Sequence, residues 1–541
     1  MAPEPTTVLV GAAIVVGSLM TMFLRYINMD RPDNLPTLDS TLPIFGDTIH
    51  LMFKHRHRLL DWVSEETAKL GAKPWLLSMI GQPPIVILSN PDDFEDIIVN
   101  HRDSIERGAV TSNIAGDFLG RGILMTDDAE WYFQRKVSSH LFSMKMMQQV
   151  MHEVVREKVA LFCKVLDVHV ERGEPVSLTR VLMHFTSDVF AKIGFGVELH
   201  CLEDGLEGKT HEFIDAYIAS SAVIKCRFEQ PKWMWKLKRW LGLGDEGALP
   251  KHLKIVNSFA YEMIAASMAA KSDTNNKDTN GKQSAVASKD LVSLFLTSSM
   301  KDERAEIFRG DQQVEMEFIR DMAINFIFAG KDSTSVGIAW FFVMMARYPE
   351  ALAKIRAEMA DKVPGLLDGS IAVPTIDDLK PLVYLEAAIR ENLRLNAPAH
   401  ATIRSVIEDM VLRDGTRIPK GYQLSFEIYA SGHQPTVWGP DAAEFKPERW
   451  IDSISNSIKT FSPFKSFNFF AGPHMCPGRK MAMMEMKVTL AMLLTRFDFK
   501  TMEDPFEVTY TDGITLTVKG SLLVNVSKYV GSSTREPPLG A

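Results

Sequence analysis

The sequence predicts a mainly α-helical protein with small β-sheets and one N-terminal transmembrane helix. An uncharged apolar run extends from Thr6 to Leu24. Helical periodicity dominates residues 150–265, and a long apolar helix is predicted from Val314 to Arg347. Runs typical of β-strands are short, such as Pro84 to Leu88 (P-I-V-I-L). With 541 residues and 46% hydrophobic content, the chain can bury one large core or the cores of several ordinary domains.

The N-terminal run is long enough to cross a bilayer. Its nineteen residues would span about 28 Å as a helix, close to the hydrocarbon thickness of a membrane. A cleaved signal peptide would have a basic start and a shorter apolar core, whereas this start carries Glu4 and no Lys or Arg. Because Arg25 and Arg31 follow the run, the positive-inside rule places the rest of the chain in the cytosol.

This organisation divides the chain into three parts. Residues 1–28 are predicted to form a membrane anchor, residues 29–46 a proline-rich hinge, and residues 47–541 one catalytic domain. Within that domain, residues 271–290 are polar and low in complexity, which predicts a disordered surface loop. Residues 104–125 contain scattered glycines and predict a mobile loop. The net charge of -8 gives no indication of a nucleic-acid partner.

One of the four cysteines has neighbours that suit a metal ligand. The cysteines show no paired spacing, which predicts a reduced, cytosol-facing protein. Cys476 lies in a Gly/Pro-rich loop from Phe469 to Gly478 (F-F-A-G-P-H-M-C-P-G), directly before a helix-favouring run. N–H groups at a helix N-terminus lower the pKa of a thiol, so this thiolate is suited to a soft or redox-active metal. A buried structural cysteine is the alternative, and Gly472 and His474 favour the metal ligand.

The long helix predicted from Val314 to Arg347 has polar residues at its centre. Gly330 is followed by Asp332, Ser333 and Thr334, with apolar residues on both sides. A glycine beside hydroxyl residues can open a local kink that leaves room for a ligand or water. A buried carboxylate is costly unless something uses it, so these residues predict a second part of the site. Either the Ser333 or the Thr334 hydroxyl could belong to this part of the site.

Two residue pairs have the spacing of one helix face. Trp131 and Arg135 lie four positions apart, and Glu391 and Arg394 lie three apart. From residue types alone, the first could be a surface cation–aromatic pair and the second a surface salt bridge. A tryptophan-rich basic stretch, residues 231–241, suits either a membrane interface or an amphipathic helix with buried tryptophans.

The loop from Phe469 to Gly478 closely resembles the haem-binding signature of the cytochrome P450 superfamily of haem-thiolate monooxygenases. The resemblance implies the cytochrome P450 fold and haem b as cofactor, with Cys476 as the axial ligand of the iron. A histidine stands at position 474, where arginine is commoner in the family. The residues with an implied role in binding the cofactor are Trp131, Arg135, Arg404, Phe469, Gly472, His474, Cys476 and Gly478.

The centre of the long helix resembles a second family motif. A-G-K-D-S-T, residues 329–334, is similar to the oxygen-activation motif. This similarity implies that Asp332, together with Ser333 or Thr334, relays protons on the distal side of the haem.

Two further motifs resemble the halves of a structural triad that shapes the cysteine loop. They are E-N-L-R, which contains Glu391 and Arg394, and F-K-P-E-R-W, which contains Arg449. The R-L-x-x-P context favours this pair over the competing Glu386 and Arg390. Residues 513–516 resemble the tip of a hairpin that enters the substrate pocket.

The resemblance implies a monooxygenase that inserts one oxygen atom of O2 into a C–H bond of a lipophilic substrate. Electrons are expected from NADPH through a separate NADPH–cytochrome P450 reductase, since the sequence has no flavin or dinucleotide fingerprint. Local runs such as W-Y-F-Q-R-K-V-S-S-H-L-F-S resemble the fatty-acid ω-hydroxylase clan, which implies fatty-acid hydroxylation. Sterols, alkanes and xenobiotics are alternative substrates. We expect a single-pass protein of the endoplasmic reticulum membrane with its catalytic domain facing the cytosol.

Two other classes of haem protein are alternatives. A haem-thiolate isomerase or dehydratase would not need Asp332 and its neighbouring hydroxyl groups. A non-catalytic haem sensor that uses Cys476-Pro477 would need neither the E-x-x-R motif nor the Trp131–Arg135 pair.

Overall fold

The computed structural model describes residues 34–209, 211–228, 230–275 and 311–531, together with residues 17 and 32. The predicted membrane anchor, residues 1–28, therefore lies outside the described residues apart from residue 17. Of the predicted disordered loop, residues 271–275 continue a helix, and residues 276–290 lie outside the described part. Within the described ranges, no helix combines the length and the apolar character that crossing a bilayer requires.

The described chain is mainly helical. In chain order, the α-helices are α1 (Thr48–His50), α2 (Leu59–Lys69), α3 (Pro91–Asn100), α4 (Gly108–Leu119), α5 (Asp128–Leu141), α6 (Met144–Met146), α7 (His152–Arg172), α8 (Leu178–Phe195), α9 (Cys201–Leu206), α10 (Glu212–Phe228), α11 (Lys232–Trp240), α12 (Gly244–Asn275), α13 (Gln312–Arg347), α14 (Pro349–Lys362), α15 (Ile376–Leu379), α16 (Val383–Leu395), α17 (Ile428–His433), α18 (Pro435–Trp438) and α19 (Arg479–Arg496).

The β-strands are short. They are β1 (Trp75–Leu77), β2 (Ile85–Leu88), β3 (Ile105–Glu106), β4 (Val176–Ser177), β5 (Ala401–Val406), β6 (Met410–Val411), β7 (Arg417–Ile418), β8 (Gln423–Glu427), β9 (Phe497–Thr501), β10 (Tyr510–Asp512), β11 (Leu516–Val518) and β12 (Leu523–Lys528). The prediction of a mainly α-helical protein with small β-sheets is confirmed, and the transmembrane helix stays a prediction.

The chain divides into two compact units, and the first contains the largest sheet. This unit comprises the residues up to Gly108, residues 229–237 and Ala401–Ala442. Its five strands are ordered β1-β2-β8-β5-β3, with β2 and β8 parallel and the other neighbours antiparallel. All four residues of β2 are buried, which explains why that run is apolar throughout. Helix α3 begins after Asn90, whose side chain caps the helix by accepting a hydrogen bond from the Asp92 N–H at 3.1 Å.

The second unit holds most of the helices. It comprises Ala109–Phe228, Lys238–His400 and the residues from Ala443 onward. One apolar core runs through α7, α8, α13, α16 and α19. Two small antiparallel sheets belong to this unit, β4-β12-β9 and the hairpin β10-β11, whose turn contains the predicted tip at residues 513–516. Helix α13 begins two residues before the predicted Val314 and ends at the predicted Arg347, directly before Tyr348-Pro349.

Helix α13 does not open at its centre, contrary to the predicted kink. It is continuous from Gln312 to Arg347, and hydroxyl groups bond to backbone carbonyls instead. Ser333 Oγ donates to the Ala329 carbonyl at 2.7 Å, and Ser335 Oγ donates to the Asp332 carbonyl at 3.0 Å. The glycine has a packing role, because a β-carbon at position 330 would overlap the ring of Phe190 on α8.

The predicted mobile loop at residues 104–125 is largely ordered structure. It contains β3 and α4, and within it only Arg107 and residues 120–125 lie outside helix and strand. Two buried side chains of α13 hold this short connection. Asp321 accepts a hydrogen bond from the Arg121 N–H at 2.7 Å, and Asn325 accepts one from the Leu124 N–H at 3.1 Å. No local pattern indicates these contacts, because their partners lie about two hundred positions apart in the chain.

Each of the two interpretations of the tryptophan-rich stretch fits some of its residues. On α11, Trp233 is 61% exposed and Trp240 is 80% exposed, whereas Trp235 is 3% exposed. The helix therefore buries one tryptophan and presents two others to its surroundings.

Candidate functional site

The loop before α19 is closed by its own backbone. The Cys476 N–H donates to the Phe469 carbonyl oxygen at 2.8 Å, across the Gly/Pro-rich turn. Gly472 has φ +64°, a conformation that glycine adopts without strain. Gly478 is less constrained, since a β-carbon there would make ordinary contacts of 3.6 Å with Phe142 and 3.8 Å with the Cys476 sulfur. The loop therefore fixes where Cys476 enters the helix start.

The helix start donates to the sulfur, yet the pKa of the thiol is not lowered as the sequence predicts. Burial raises the pKa of Cys476. Backbone N–H groups of Gly478 and Arg479 bond to the sulfur, and the Arg135 guanidinium lies near it, but their lowering effect is smaller than that of desolvation. An apolar surrounding penalises the charged form more than these donors favour it.

The Cys476 side chain borders interior space. It is solvent-accessible, although burial is the largest influence on its pKa. Both properties hold together when a side chain faces an enclosed cavity. His400 has the same combination, because it is half-exposed while burial, followed by the charge of Lys225, lowers its pKa to about 4. Ala329 is likewise exposed in the otherwise buried centre of α13.

The structure brings together three of the predicted cofactor-binding residues near the cysteine loop. The Trp131 ring on α5 lies 4.0 Å from the His474 ring between centroids. Arg135, one turn further along α5, has its pKa lowered by burial and raised in part by Cys476. A cation, an indole and an imidazole therefore border the loop that carries the thiol.

The predicted acid and hydroxyls of α13 have different surroundings. Asp332 keeps 18% of its side chain exposed, and Thr334 is buried with 2% exposed. Ser333 is half-exposed and lies one turn after the exposed Ala329, on the same face of the helix. Between the two candidate hydroxyls, Ser333 is therefore the one that borders the interior space.

The structure also brings together the three residues of the predicted triad. Arg394 donates to the Glu391 carboxylate at 2.8 and 2.7 Å, and Arg449 Nε lies 3.4 Å from it. Trp450 Nε1 adds a bond of 2.8 Å, and the Lys446 N–H adds one of 3.0 Å. Sequence reasoning missed Trp450, although it directly follows Arg449 in the same motif.

The competing pair forms as well, in a more exposed place. Arg390 donates to Glu386 at 2.7 Å, with each side chain 23% exposed. Glu391 and Arg394, in contrast, are 0% and 1% exposed. Both pairs exist, and of the two only Glu391–Arg394 is fully buried.

Arg404 belongs to β5 in the first unit, where its guanidinium donates to the Thr402 hydroxyl at 3.0 Å. Its predicted contact with the cofactor stays a prediction.

Glu485 on α19 was not predicted; it is fully buried, and neither carboxylate oxygen has a hydrogen-bond partner among the described residues. Burial raises the pKa of Glu485 to about 8.

Comparison with known proteins identifies the family. The model of the cytochrome P450 family matches residues 36–524. The chain belongs to the cytochrome P450 family. This cytochrome P450 is 32% identical to cytochrome P450 CYP94D108 of Paris polyphylla over 88% of this chain and 90% of that protein. It is 31% identical to cytochrome P450 94B1 of Arabidopsis thaliana over 82% of each chain, and 30% identical to cytochrome P450 86B1 of the same plant over 90% of this chain and 84% of that protein.

Family membership confirms the resemblance that the Cys476 loop indicates. The protein is an oxidoreductase, a haem-iron monooxygenase that receives electrons from a reductase and acts on a lipophilic substrate. The residues of the structure fit such a cofactor. The Cys476 thiol faces interior space, two backbone N–H groups point at its sulfur, and the cationic and aromatic side chains beside it suit the carboxylates of a haem.

Proposed function

We propose that this cytochrome P450 hydroxylates fatty acids, at or near the ω end, with Cys476 as the axial ligand of its haem. The observation that carries the cofactor assignment is the accessible but desolvated Cys476 thiol at the start of α19. The chemistry that a bound haem supplies is the reductive activation of dioxygen, in which one oxygen atom enters a C–H bond and the other leaves as water. The protein supplies binding, orientation and protons.

On the cysteine side, the chain's residues hold and orient the cofactor. Cys476 would ligate the iron as a thiolate, with the N–H groups of Gly478 and Arg479 stabilising the charge on sulfur. Arg135, Trp131 and His474 would bind the carboxylate groups, as would Arg404. Phe469 and the glycines would shape the loop.

On the side of α13, we assign proton delivery to Asp332 and Ser333. A carboxylate with 18% of its side chain exposed can exchange a proton with water, and it lies next to the hydroxyl that borders the interior space. Ser333 rather than Thr334 is the proposed hydroxyl, because Thr334 is buried.

Three observations support a fatty acid as substrate. The runs that resemble the ω-hydroxylase clan are one, and the similarity to cytochromes P450 94B1 and 86B1 is another. The third is electrostatic: after burial, the charge of Lys225 on α10 contributes to the lowered pKa of His400. A fatty acid needs an apolar space for its chain and a cation for its carboxylate, and Lys225 is the proposed cation.

The cofactor assignment is tested by the spectrum of the reduced, carbon-monoxide-bound protein. We expect the long-wavelength band of thiolate ligation in the native protein, and loss of haem or of all turnover in Cys476→Ala. Cys163→Ala, a buried cysteine elsewhere in the second unit, is the matched control. Absence of the band in Cys-intact protein would reject the axial ligand.

The substrate is tested by turnover of a panel of fatty acids and their matched fatty alcohols, with NADPH and NADPH–cytochrome P450 reductase. We expect ω-region products from the acids, and we expect Lys225→Gln to weaken binding of an acid about tenfold while leaving the alcohol nearly unchanged. No product from any acid would reject the substrate class, whereas equal weakening of acid and alcohol would reject Lys225 alone.

We also propose that the protein is anchored in the endoplasmic reticulum membrane by residues 1–28, with the catalytic domain in the cytosol. Support comes from exposed apolar side chains that lie near basic residues in the sequence. Phe53, which precedes Lys54, is 84% exposed, and Trp240 on α11 is exposed as well. Arg479 and Lys480 at the start of α19 are proposed to help dock the reductase. Protease protection of microsomes tests the topology: cleavage of the catalytic domain only after the membrane is broken would contradict it.

A further inference from the structure

Two histidines near the start of the described chain place one ring nitrogen each close together. His50 ends α1, and His55 ends a single turn of π-helix, Leu51–His55. In a regular α-helix, side chains five positions apart point about 140° away from each other. The wider π-turn brings the two rings to one side, where His50 Nε2 lies 3.0 Å from His55 Nε2. Single turns of π-helix are often found at functional sites.

The separation of the two rings shows how their nitrogens are directed. The ring centroids lie 4.7 Å apart. In a linear N–H···N hydrogen bond with the nitrogens 3.0 Å apart, the centroids would be about 5.3 Å apart. If both nitrogens pointed at one ion about 2.0 Å away, the centroids would be about 4.8 Å apart. The observed separation agrees with the second arrangement, so both lone pairs can converge on one ion.

The same distances indicate which ions fit. Nitrogens 3.0 Å apart that each lie about 2.0 Å from an ion enclose an angle of about 97° there. This angle is closer to the right angle between neighbouring ligands in tetragonal or square-planar coordination than to the tetrahedral angle of about 109°. Imidazole nitrogens in this arrangement suit Ni²⁺ or Cu²⁺ better than Zn²⁺. Among the described residues, no group of three His, Cys, Asp or Glu side chains could hold a metal ion, so water would complete the coordination.

Neighbouring contacts hold both histidines in place. The His55 ring stacks on the ring of Trp62, with centroids 5.1 Å apart and planes inclined by 16°. Trp62 is 1% exposed and therefore gives His55 a rigid support. The chain before His50 is fixed by Asp47, whose carboxylate accepts a hydrogen bond from the Ser78 N–H at 2.9 Å. Ligands that are already ordered lose little freedom when an ion binds.

The pair is accessible to an ion from solution, because both rings are half-exposed. Burial, followed by the charge of His50, lowers the pKa of His55, which favours the neutral ring that a metal ion requires. The charges of Arg58 and Lys54 also act on His55 and would oppose a bound cation. We therefore expect weaker binding than at sites with three or four protein ligands.

We propose that His50 and His55 form a binding site for one divalent transition-metal ion, Ni²⁺ or Cu²⁺. The bound ion would link the end of α1 to the end of the π-turn and stabilise the folded chain there. The site uses none of the residues assigned to the haem, to proton delivery or to the fatty acid, so it stands independently of the proposed function.

Equilibrium dialysis of the full-length holoenzyme, without a histidine tag, against Ni²⁺ tests the site. The variants are His50→Ala and His55→Ala, and the matched control is His57→Ala at an exposed histidine two positions further along the chain. We expect the native protein and His57→Ala to bind one more equivalent than the other two variants, in which binding at this site should be at least about tenfold weaker. Equal binding by all four proteins would overturn the site.

Thermal unfolding gives a second, independent measurement. At a Ni²⁺ concentration a hundred times the dissociation constant, the Tm of the native protein and of His57→Ala should rise by about 2–3 °C. His50→Ala and His55→Ala should show no such rise. His55→Gln keeps a planar polar side chain beside Trp62 and should behave like His55→Ala, which guards against a variant that fails to fold. An equal rise in every variant would show that the ion binds elsewhere and that the two histidines only share a hydrogen bond.

Discussion

The Glu391 cluster and the centre of α13 are both built around a carboxylate, but the two carboxylates are held differently. Glu391 is 0% exposed and receives donors from Arg394, Arg449, Trp450 and the Lys446 backbone. Asp332 keeps 18% of its side chain exposed and has two partners, one of them at 3.3 Å. Many fixed donors make the first carboxylate a structural element, whereas few donors leave the second free to change partners. The same chemical group is therefore used once for rigidity and once for proton exchange.

Breaking the Glu391 cluster should have the largest effect. In Glu391→Ala, the buried Arg394 loses its carboxylate partner, and we expect a loss of about 3–5 kcal/mol in the free energy of unfolding. Denaturant unfolding of the holoenzyme measures this. Glu386→Ala is the matched control on the same helix, and loss of its half-buried pairs with Arg390 and Lys487 should cost less, about 1–2 kcal/mol. Equal costs for the two variants would remove the distinction between a structural and a peripheral carboxylate.

Changing the carboxylate of α13 should affect catalysis more than folding. Asp332→Asn keeps the shape and an oxygen that can accept from the buried Lys331, but removes the group that exchanges a proton, so we expect kcat to fall about a hundredfold and the free energy of unfolding to fall less than in Glu391→Ala. Product formed per NADPH consumed is the measurement, and Asp215→Asn, at an exposed position of α10, is the control. A stability loss as large as that of Glu391→Ala would show that Asp332 is structural too.

Glu485 adds a third case to the comparison of Glu391 with Asp332: it is buried, and no group among the described residues donates a hydrogen bond to its carboxyl oxygens. Its pKa of about 8 in the folded protein lies above the ordinary value of 4.5, so between these values the folded protein keeps a proton that the unfolded chain has lost. Stability contributed by this proton is present below about pH 4.5 and is lost as pH rises toward 8.

Glu485→Gln should remove that dependence. Relative to the native protein, the free energy of unfolding of the variant should rise by up to about 1.4 kcal/mol per pH unit between pH 5 and 8. Denaturant unfolding at each pH measures this difference. Glu503→Gln, an exposed control, should follow the native curve. If the free energy of unfolding depends on pH in the same way in Glu485→Gln and in the native protein, the pKa of Glu485 is not raised in the folded protein.

Local patterns were sufficient for the elements and residues whose partners lie close in sequence. The long apolar helix α13 and the short strand β2 follow from apolar pattern and propensity, and the structure confirms them. The site motifs were recognised because each fixes residue types at short spacing.

Contacts between distant parts of the chain left no such pattern. Tyr217 meets Asp332 across 115 positions, and Asp321 meets Arg121 across 200, so neither pair has a local signature. The scattered glycines of residues 104–125 predicted a mobile loop, because the contacts that order this segment are not visible in its local sequence. The pKa of Cys476 was misjudged for a related reason: N–H donors at a helix start are visible in sequence, while the desolvation that outweighs them depends on the whole surrounding fold.

The close approach of α8 to α13 has a practical consequence for anyone who reshapes the substrate space by mutagenesis. A side chain at position 330 would force the Phe190 ring to move, because a single added carbon would overlap it, and we expect variants there to lose stability. Its neighbour Ala329 is exposed and can accept larger side chains. A combinatorial library should therefore vary residue 329 and keep residue 330 as glycine.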